Sequence, residues 1–128
     1  ILDYAKKSRA SYPLDQPTHK ATLDNTICGD RVEISLKVKS RHIEKIGVKV
    51  RGCALCEAGA GLVIECFSGQ TDQAIRQLID EFSDWLTSHG TEAPTTQMQH
   101  FTPVQSIRNR HNCVLLACHA TLKALSVE

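Results

Sequence analysis

Two runs of alternating apolar and polar residues constrain the fold of this chain most. In RVEISLKVK (31–39) and IGVKVRG (46–52), every second residue is apolar. A period of two is typical of a strand with one buried face. The segment between them, SRHIEK (40–45), is short and polar, so we predict that it turns the chain and that the two strands form an antiparallel hairpin. A shorter edge strand is expected at KATLD (20–24).

At Gly52 the apolar period changes from that of a strand to that of a helix. Residues 53–67, CALCEAGAGLVIECF, carry one apolar stripe and are predicted to be helical. Gly59 and Gly61 weaken this helix by about 1 kcal/mol each relative to Ala. We expect these small residues to allow close packing of the helix against the sheet.

Two further helices are predicted in the second half of the chain. Thr71 is expected to cap the first of them, and Gly90 is a natural end for it. Residues 91–103 are polar, contain two prolines and are predicted to be a loop. The last helix lies between residues 106 and 125. At the other end of the chain, residues 1–9 form a short helix or a tail.

These elements predict an α+β fold in which a small antiparallel sheet of about three strands is packed by helices on one side. The 128 residues suit one domain, spanning 1–128. The 15 basic and 14 acidic residues give a net charge of +1, which argues against a nucleic-acid or membrane-surface role. No apolar run approaches the roughly 20 residues needed to span a bilayer.

The six cysteines define the chemistry that this chain offers. A chain of this length and apolar content does not need a disulfide framework, so we expect a reducing, cytoplasmic location. In that setting cysteines are buried small hydrophobes, metal ligands or reactive thiols. The cysteines are residues 28, 53, 56, 66, 113 and 118.

Three of these thiols lie at predicted element boundaries. Cys28 precedes the first clear strand, Cys53 begins a helix, and Cys113 lies early in the last helix. If they converge, Asp30 supplies a fourth donor, and three sulfurs with one oxygen suit tetrahedral zinc or an iron–sulfur cluster. The alternatives are scattered buried cysteines, or a redox pair or half zinc clamp formed by Cys53 and Cys56.

The remaining candidate residues have simpler interpretations. Cys66 and Cys118 lie on apolar helical stripes and are predicted to be core residues, as is Trp85. His111 either orients the predicted site or faces solvent. Arg110 either holds a substrate or compensates thiolate charge there, or is an exposed helix arginine.

Four segments together resemble the iron–sulfur scaffold family of NifU N-terminal domains, IscU and SufU. ICGDRV resembles the N-P-x-C-G-D segment of that family, and VRGCALCEAGAGLV resembles its G-C-x-I-S-x-A-S-A-S helix start. RNRHNCVLLACHATLKAL resembles its R-x-x-C-x-x-L-x-x-x-x-L close, and LDYAKKSRA is similar to its D-H-Y-x-x-P-R-N opening. The resemblance runs in order along nearly the whole chain.

The resemblance implies a metal or cluster site formed by Cys28, Asp30, Cys53 and Cys113. In the SufU branch the first cysteine, here Cys28, accepts sulfur from a cysteine desulfurase as a persulfide. Arg110 occupies the SufU-like arginine position, three residues before the last cysteine.

The chain resembles the SufU branch more than the IscU branch. Sixty positions separate Cys53 from Cys113, similar to the spacing in SufU, which has an insertion here. FTPVQS stands where IscU has its L-P-P-V-K motif. Cys56 departs from both branches, since Ser or Ala is usual at that position.

By this resemblance the chain is expected to be a non-enzymatic iron–sulfur cluster assembly scaffold, holding Zn²⁺ or a [2Fe–2S] cluster. Its expected partners are a cysteine desulfurase and apo iron–sulfur acceptor proteins. The alternative is a zinc-dependent sulfurtransferase that accepts persulfide without holding a cluster. A third hypothesis is a structural zinc module, which predicts unfolding on chelation. The oligomeric state stays open.

Overall fold

The three antiparallel strands lie near the start of the chain and most of the helices follow them. The computed structural model describes residues 1–27, 29–88 and 90–126. Its elements are α1 (Leu2–Arg9), β1 (His19–Asn25), β2 (Asp30–Lys39), β3 (His42–Arg51), α2 (Ala54–Phe67), α3 (Asp72–Ser88), 3₁₀ segments at Met98–Ser106 and Arg108–Arg110, and α4 (His111–Leu125). The predicted α+β class is confirmed.

The sheet has the order β1–β2–β3, with β2 in the centre. In β2, Val32, Ile34 and Leu36 are almost fully buried and Glu33 is exposed, as the period of two predicts, whereas Ser35 departs from that period and is buried. Helices α2 and α4 contact the sheet. The edge strand predicted at 20–24 is confirmed as β1.

The predicted turn at 40–45 is too long. The chain turns at Ser40 and Arg41, both with positive φ (52° and 67°), and β3 already begins at His42. A register shift between Lys37 and Val38 lengthens the hairpin. The sequence offers no Asn-Gly or Gly pair here, so a two-residue turn had no local signal.

The two α2 glycines permit close helix–helix contact, not contact with the sheet as we predicted. A Cβ on Gly59 would lie 2.2 Å from the carbonyl oxygen of Val114 in α4. A Cβ on Gly61 would lie 1.9 Å from the carbonyl oxygen of Tyr4 in α1. Helix α2 therefore packs between α1 and α4 and is buried along most of its length.

The prediction of a polar loop at 91–103 is wrong in its second half. The 3₁₀ segment that begins at Met98 buries Met98, Phe101 and Val104 completely or nearly so. Phe101 stacks on Tyr4 of α1, with ring centroids 5.9 Å apart. These apolar residues recur at every third position, the period of a 3₁₀ helix, but they are too few to predict a buried segment, and the packing identifies them as core.

The rest of the predicted core is confirmed. Thr71 caps α3, because its hydroxyl accepts a hydrogen bond from the Ala74 N–H at 3.1 Å. Trp85, Cys66 and Cys118 are buried. Within the described residues, no helix is both long and apolar enough to cross a membrane.

Candidate metal centre

Asp30 is the first residue of β2 and lies under the junction of β3 and α2. It pairs with Asn25 across the β1–β2 hairpin and is only 3% exposed. Its Oδ1 accepts a hydrogen bond from the Cys53 N–H at 3.1 Å. Its Oδ2 is buried and has no hydrogen-bond partner among the described residues. A buried polar atom without a partner costs about 1–3 kcal/mol of folding free energy, and more when it is charged. A cation bound at this oxygen would offset that cost.

Gly52 gives Asp30 the space to reach the backbone of α2. A Cβ at this position would lie 2.4 Å from Asp30 Oδ1 and 2.9 Å from its carboxyl carbon. Any other residue would therefore push the carboxylate away from the Cys53 N–H. In the sequence, Gly52 marks only the point where the apolar period changes. A glycine followed by a cysteine at a predicted strand–helix junction is the sequence feature that could have identified this role of Gly52.

Cys53 is the N-cap residue of α2, with an extended backbone (φ −75°, ψ 168°) and a half-buried side chain. A helix N-terminus stabilises a thiolate through its free N–H groups and its dipole. Cys53 is therefore placed at the start of a helix and is still partly accessible from solvent.

Cys113 reaches the same place from α4. It is fully buried in the first turn of that helix. Nη1 of Arg110, one turn earlier, donates to Cys113 Sγ at 3.9 Å. The contact joins a charged guanidinium donor to that sulfur. The interpretation of Arg110 as a residue beside the predicted site is thus supported by a direct contact.

Asp30, Cys53 and Cys113 form the donor group, with one ligand atom from each lying within 4.8 Å of the others. Tetrahedral zinc with Zn–S bonds of about 2.3 Å requires ligand atoms roughly 3.8 Å apart, so small side-chain rotations suffice. Two sulfurs and one oxygen of the Asp30 carboxylate are together suited to zinc or to the iron of an iron–sulfur cluster. The fourth predicted ligand, Cys28, lies outside the described residues.

Cys56 adds a further thiol beside this group. It is fully buried in the first turn of α2. Burial raises its pKa far above the ordinary value, and the nearby charges of Asp30, Cys53 and Cys113 raise it further. Cys56 is therefore close to each member of the donor group but remains a protonated thiol.

His111 is buried, and its ring is occupied by backbone partners. Its Nε2 lies 2.9 Å from the carbonyl oxygen of Val104 and 3.2 Å from that of Gln105. These contacts hold the start of α4 against the 3₁₀ segment Met98–Ser106. The solvent-facing alternative is therefore wrong, and His111 helps to hold the helix that carries Cys113.

Known proteins can be compared with this geometry. The sequence pattern of the NifU-like N-terminal domain matches residues 1–102. The chain belongs to the NifU-like N-terminal domain family. The match includes Asp30 and Cys53, whereas Cys113 lies beyond it.

Relatives of this NifU-like domain extend over the whole chain. The iron–sulfur cluster assembly scaffold protein IscU of Thermotoga maritima is 29% identical over 128 residues, covering 98% of this chain and 89% of its own. The zinc-dependent sulfurtransferase SufU of Bacillus subtilis is 21% identical, covering 100% of this chain and 88% of its own. Both branches match over full length, so our preference for SufU stays a prediction.

Solved structures agree with the NifU-like fold. The N-terminal NifU-like protein of Brucella abortus superimposes with a TM-score of 0.87 at 25% identity, covering 98% of this chain and 88% of its own. A putative scaffold protein for the SUF system from Fervidobacterium islandicum superimposes with a TM-score of 0.86 at 22% identity, covering 96% of this chain and 91% of its own. The second likeness supports the fold alone.

Proposed function

We propose that this protein takes part in iron–sulfur cluster assembly, accepting sulfur from a cysteine desulfurase and gathering cluster components at Cys28, Asp30, Cys53 and Cys113. The observation that carries the proposal is a buried Asp30 carboxylate that has one unpartnered oxygen, Oδ2, and one oxygen within 4.8 Å of two sulfurs. A buried carboxylate in that position is costly unless a cation binds there. Relatives named as cluster scaffolds supply the identity of the cargo.

Sulfur transfer to Cys28 is the first proposed step. The Cys28 thiolate attacks the terminal sulfur of the desulfurase persulfide. A new sulfur–sulfur bond forms on Cys28, and the desulfurase cysteine leaves as its thiolate. In the sequence this cysteine follows Ile27, which is 91% exposed.

The donor group then has to hold its cargo and later release it. Thiolates of Cys53 and Cys113 are the strong, soft ligands for iron. The Asp30 oxygen is a harder and weaker ligand for such a site. We infer that a centre with one weak ligand favours transfer to apo iron–sulfur acceptor proteins.

The second candidate is a zinc-dependent sulfurtransferase, favoured by the relative of that name and by a donor set that suits tetrahedral zinc. A zinc ion here would hold thiolates at neutral pH. The described cysteines are all free thiols, and this chemistry needs a reducing compartment. We place the protein in the cytoplasm on that ground.

Anaerobic purification tests the proposal and separates the two candidates. Zinc, iron and acid-labile sulfide are measured, and desulfurase activity is followed with and without the protein. Stimulation that Cys28→Ala abolishes supports sulfur acceptance. Iron with sulfide then indicates the scaffold, whereas zinc alone indicates the sulfurtransferase. Failure to stimulate any desulfurase, with no cluster formed, would refute both.

A further inference from the structure

Sulfur that arrives as a persulfide is not yet the sulfur of a cluster. A persulfide carries sulfane sulfur at oxidation state zero, whereas an iron–sulfur cluster contains sulfide. Each transferred sulfur therefore needs two electrons before it can bridge iron. Two neighbouring thiols supply that number when they form a disulfide.

The start of α2 carries such a pair. Cys53 is the N-cap residue and is half-buried, so that an external reagent can reach it. Cys56 follows three residues later and is fully buried, so that nothing from solvent reaches it directly. A persulfide in solution can therefore reach the Cys53 thiol, whereas the Cys56 thiol can react only with groups inside the protein.

The backbone allows these two sulfurs to meet. Residues three apart on a helix have Cβ atoms about 5–6 Å apart, whereas a disulfide needs about 4 Å. Cys53 lies outside the helix proper, with an extended ψ of 168°. Rotation at this one residue can close the gap without unwinding α2.

Cys113 is a weaker candidate for the second thiol. Its sulfur is also near that of Cys53. However, it already accepts the contact from Arg110 and lies in a separate helix. Cys56 is the thiol near the centre that the proposed donor set does not use.

We propose that Cys53 and Cys56 are an internal dithiol that reduces persulfide sulfur to sulfide. The Cys53 thiolate attacks the terminal sulfur of a persulfide RSSH, the RS–SH bond breaks, and RS⁻ leaves while the terminal SH stays on Cys53 as a persulfide. Cys56 then attacks Cys53 Sγ. A Cys53–Cys56 disulfide forms, and the outer sulfur leaves as hydrosulfide, which takes the Cys56 proton to give H₂S.

The step balances without another oxidant or reductant. Each thiol loses one electron, and the sulfane sulfur gains both. A thiol reductant must later open the disulfide before the next cycle. The inference rests on the proposed function only for the biological source of the persulfide.

The experiment uses the full chain, reduced and anaerobic, with one equivalent of glutathione persulfide and no desulfurase. Released sulfide is trapped and measured, and the protein is cleaved after glutamate. That cleavage places Cys53 and Cys56 alone together on residues 45–57, so their disulfide appears as a loss of two hydrogens. We expect roughly one sulfide per chain together with that disulfide.

Cys56→Ala should lower the sulfide release by about tenfold and leave the persulfide on Cys53. Cys118→Ala, which removes another fully buried thiol, is the matched control and should behave as the parent. Circular dichroism checks the fold, and Cys56→Ser serves if the alanine variant is unfolded. Equal sulfide release by parent and Cys56 variants, or a Cys53–Cys113 disulfide in the parent, would overturn the inference.

This outcome is independent of the proposed function. The glutathione persulfide reaction needs neither a desulfurase nor an acceptor protein. Dithiol chemistry without desulfurase stimulation would leave the inference standing and refute the proposed function. Desulfurase stimulation without dithiol chemistry would refute only the inference.

Discussion

Asp30 and Cys53, 23 residues apart, are joined by a hydrogen bond in which the Cys53 N–H donates to Asp30 Oδ1 at 3.1 Å. This contact fixes the carboxylate of β2 beneath the first turn of α2. The other oxygen of the same carboxylate, Oδ2, is buried and has no hydrogen-bond partner among the described residues.

Replacing Asp30 by Ala should slow cluster release. The weak oxygen ligand is lost, and the remaining thiolates bind iron more tightly. We expect transfer to an apo-ferredoxin to be roughly tenfold slower, equivalent to ~1.4 kcal/mol in the barrier. Transfer is followed by visible circular dichroism. Asp24→Ala, which removes an exposed carboxylate on β1, is the control, and unchanged transfer in Asp30→Ala would contradict the prediction.

Gly52→Ala should disturb the donor group directly. The added methyl group would lie 2.4 Å from Asp30 Oδ1. We expect a loss of about 1–3 kcal/mol in the free energy of unfolding and weaker zinc binding, measured by denaturation and by competition with a chromogenic chelator. Gly90→Ala meets nothing closer than 3.4 Å and serves as control. Equal zinc affinity in both variants would show that Asp30 is not a ligand.

Arg110→Ala should weaken metal binding without unfolding the protein. Its guanidinium donates to Cys113 Sγ, and a charge-assisted hydrogen bond is worth about 1.5–3 kcal/mol. We expect zinc affinity to fall roughly tenfold or more. Arg108→Ala removes an exposed arginine of the same 3₁₀ segment and should have no effect. If both variants bind zinc like the parent, the Arg110 contact has no role at the centre.

Chelation should lower thermal stability but leave a folded protein. The core extends through every helix and the sheet and does not depend on the donor group. Removing a cation leaves Asp30 Oδ2 unpaired, so we expect Tm to fall by several degrees, with cooperative unfolding retained. Calorimetry with and without chelator measures this. Complete unfolding on chelation would instead favour the structural zinc module.

Alkaline pH should destabilise the fold through its buried thiols. Burial raises the pKa of Cys66 to about 11 from 9.0, so the folded state keeps a proton that the unfolded state loses. This contribution, about 2–3 kcal/mol, is complete below pH 9 and is lost as pH rises to about 11. Denaturation of parent and Cys66→Ala at several pH values measures it. The variant should lose less stability over that range, and identical pH profiles would contradict the assignment.

Much of the fold was predictable because its signals are local. The period of two in β2 and the period of 3.6 in α3 each follow from which residues face the core. The segment around Met98 and Phe101 was missed because its apolar residues are few, and the contacts of Phe101 with α1 and α3 form only in the tertiary structure. The two-residue turn at Ser40 and Arg41 had no glycine to reveal it.

The sequence by itself determined the order of the elements, the placement of Cys53 and Cys113 at helix starts, and the likeness to a known family. Only the tertiary structure decided that Asp30, Cys53 and Cys113 share one pocket and that Gly52 makes room for the carboxylate. The physical reason is that periodicity records which face of each element is buried. The meeting of donors from β2, α2 and α4 depends instead on how those elements pack.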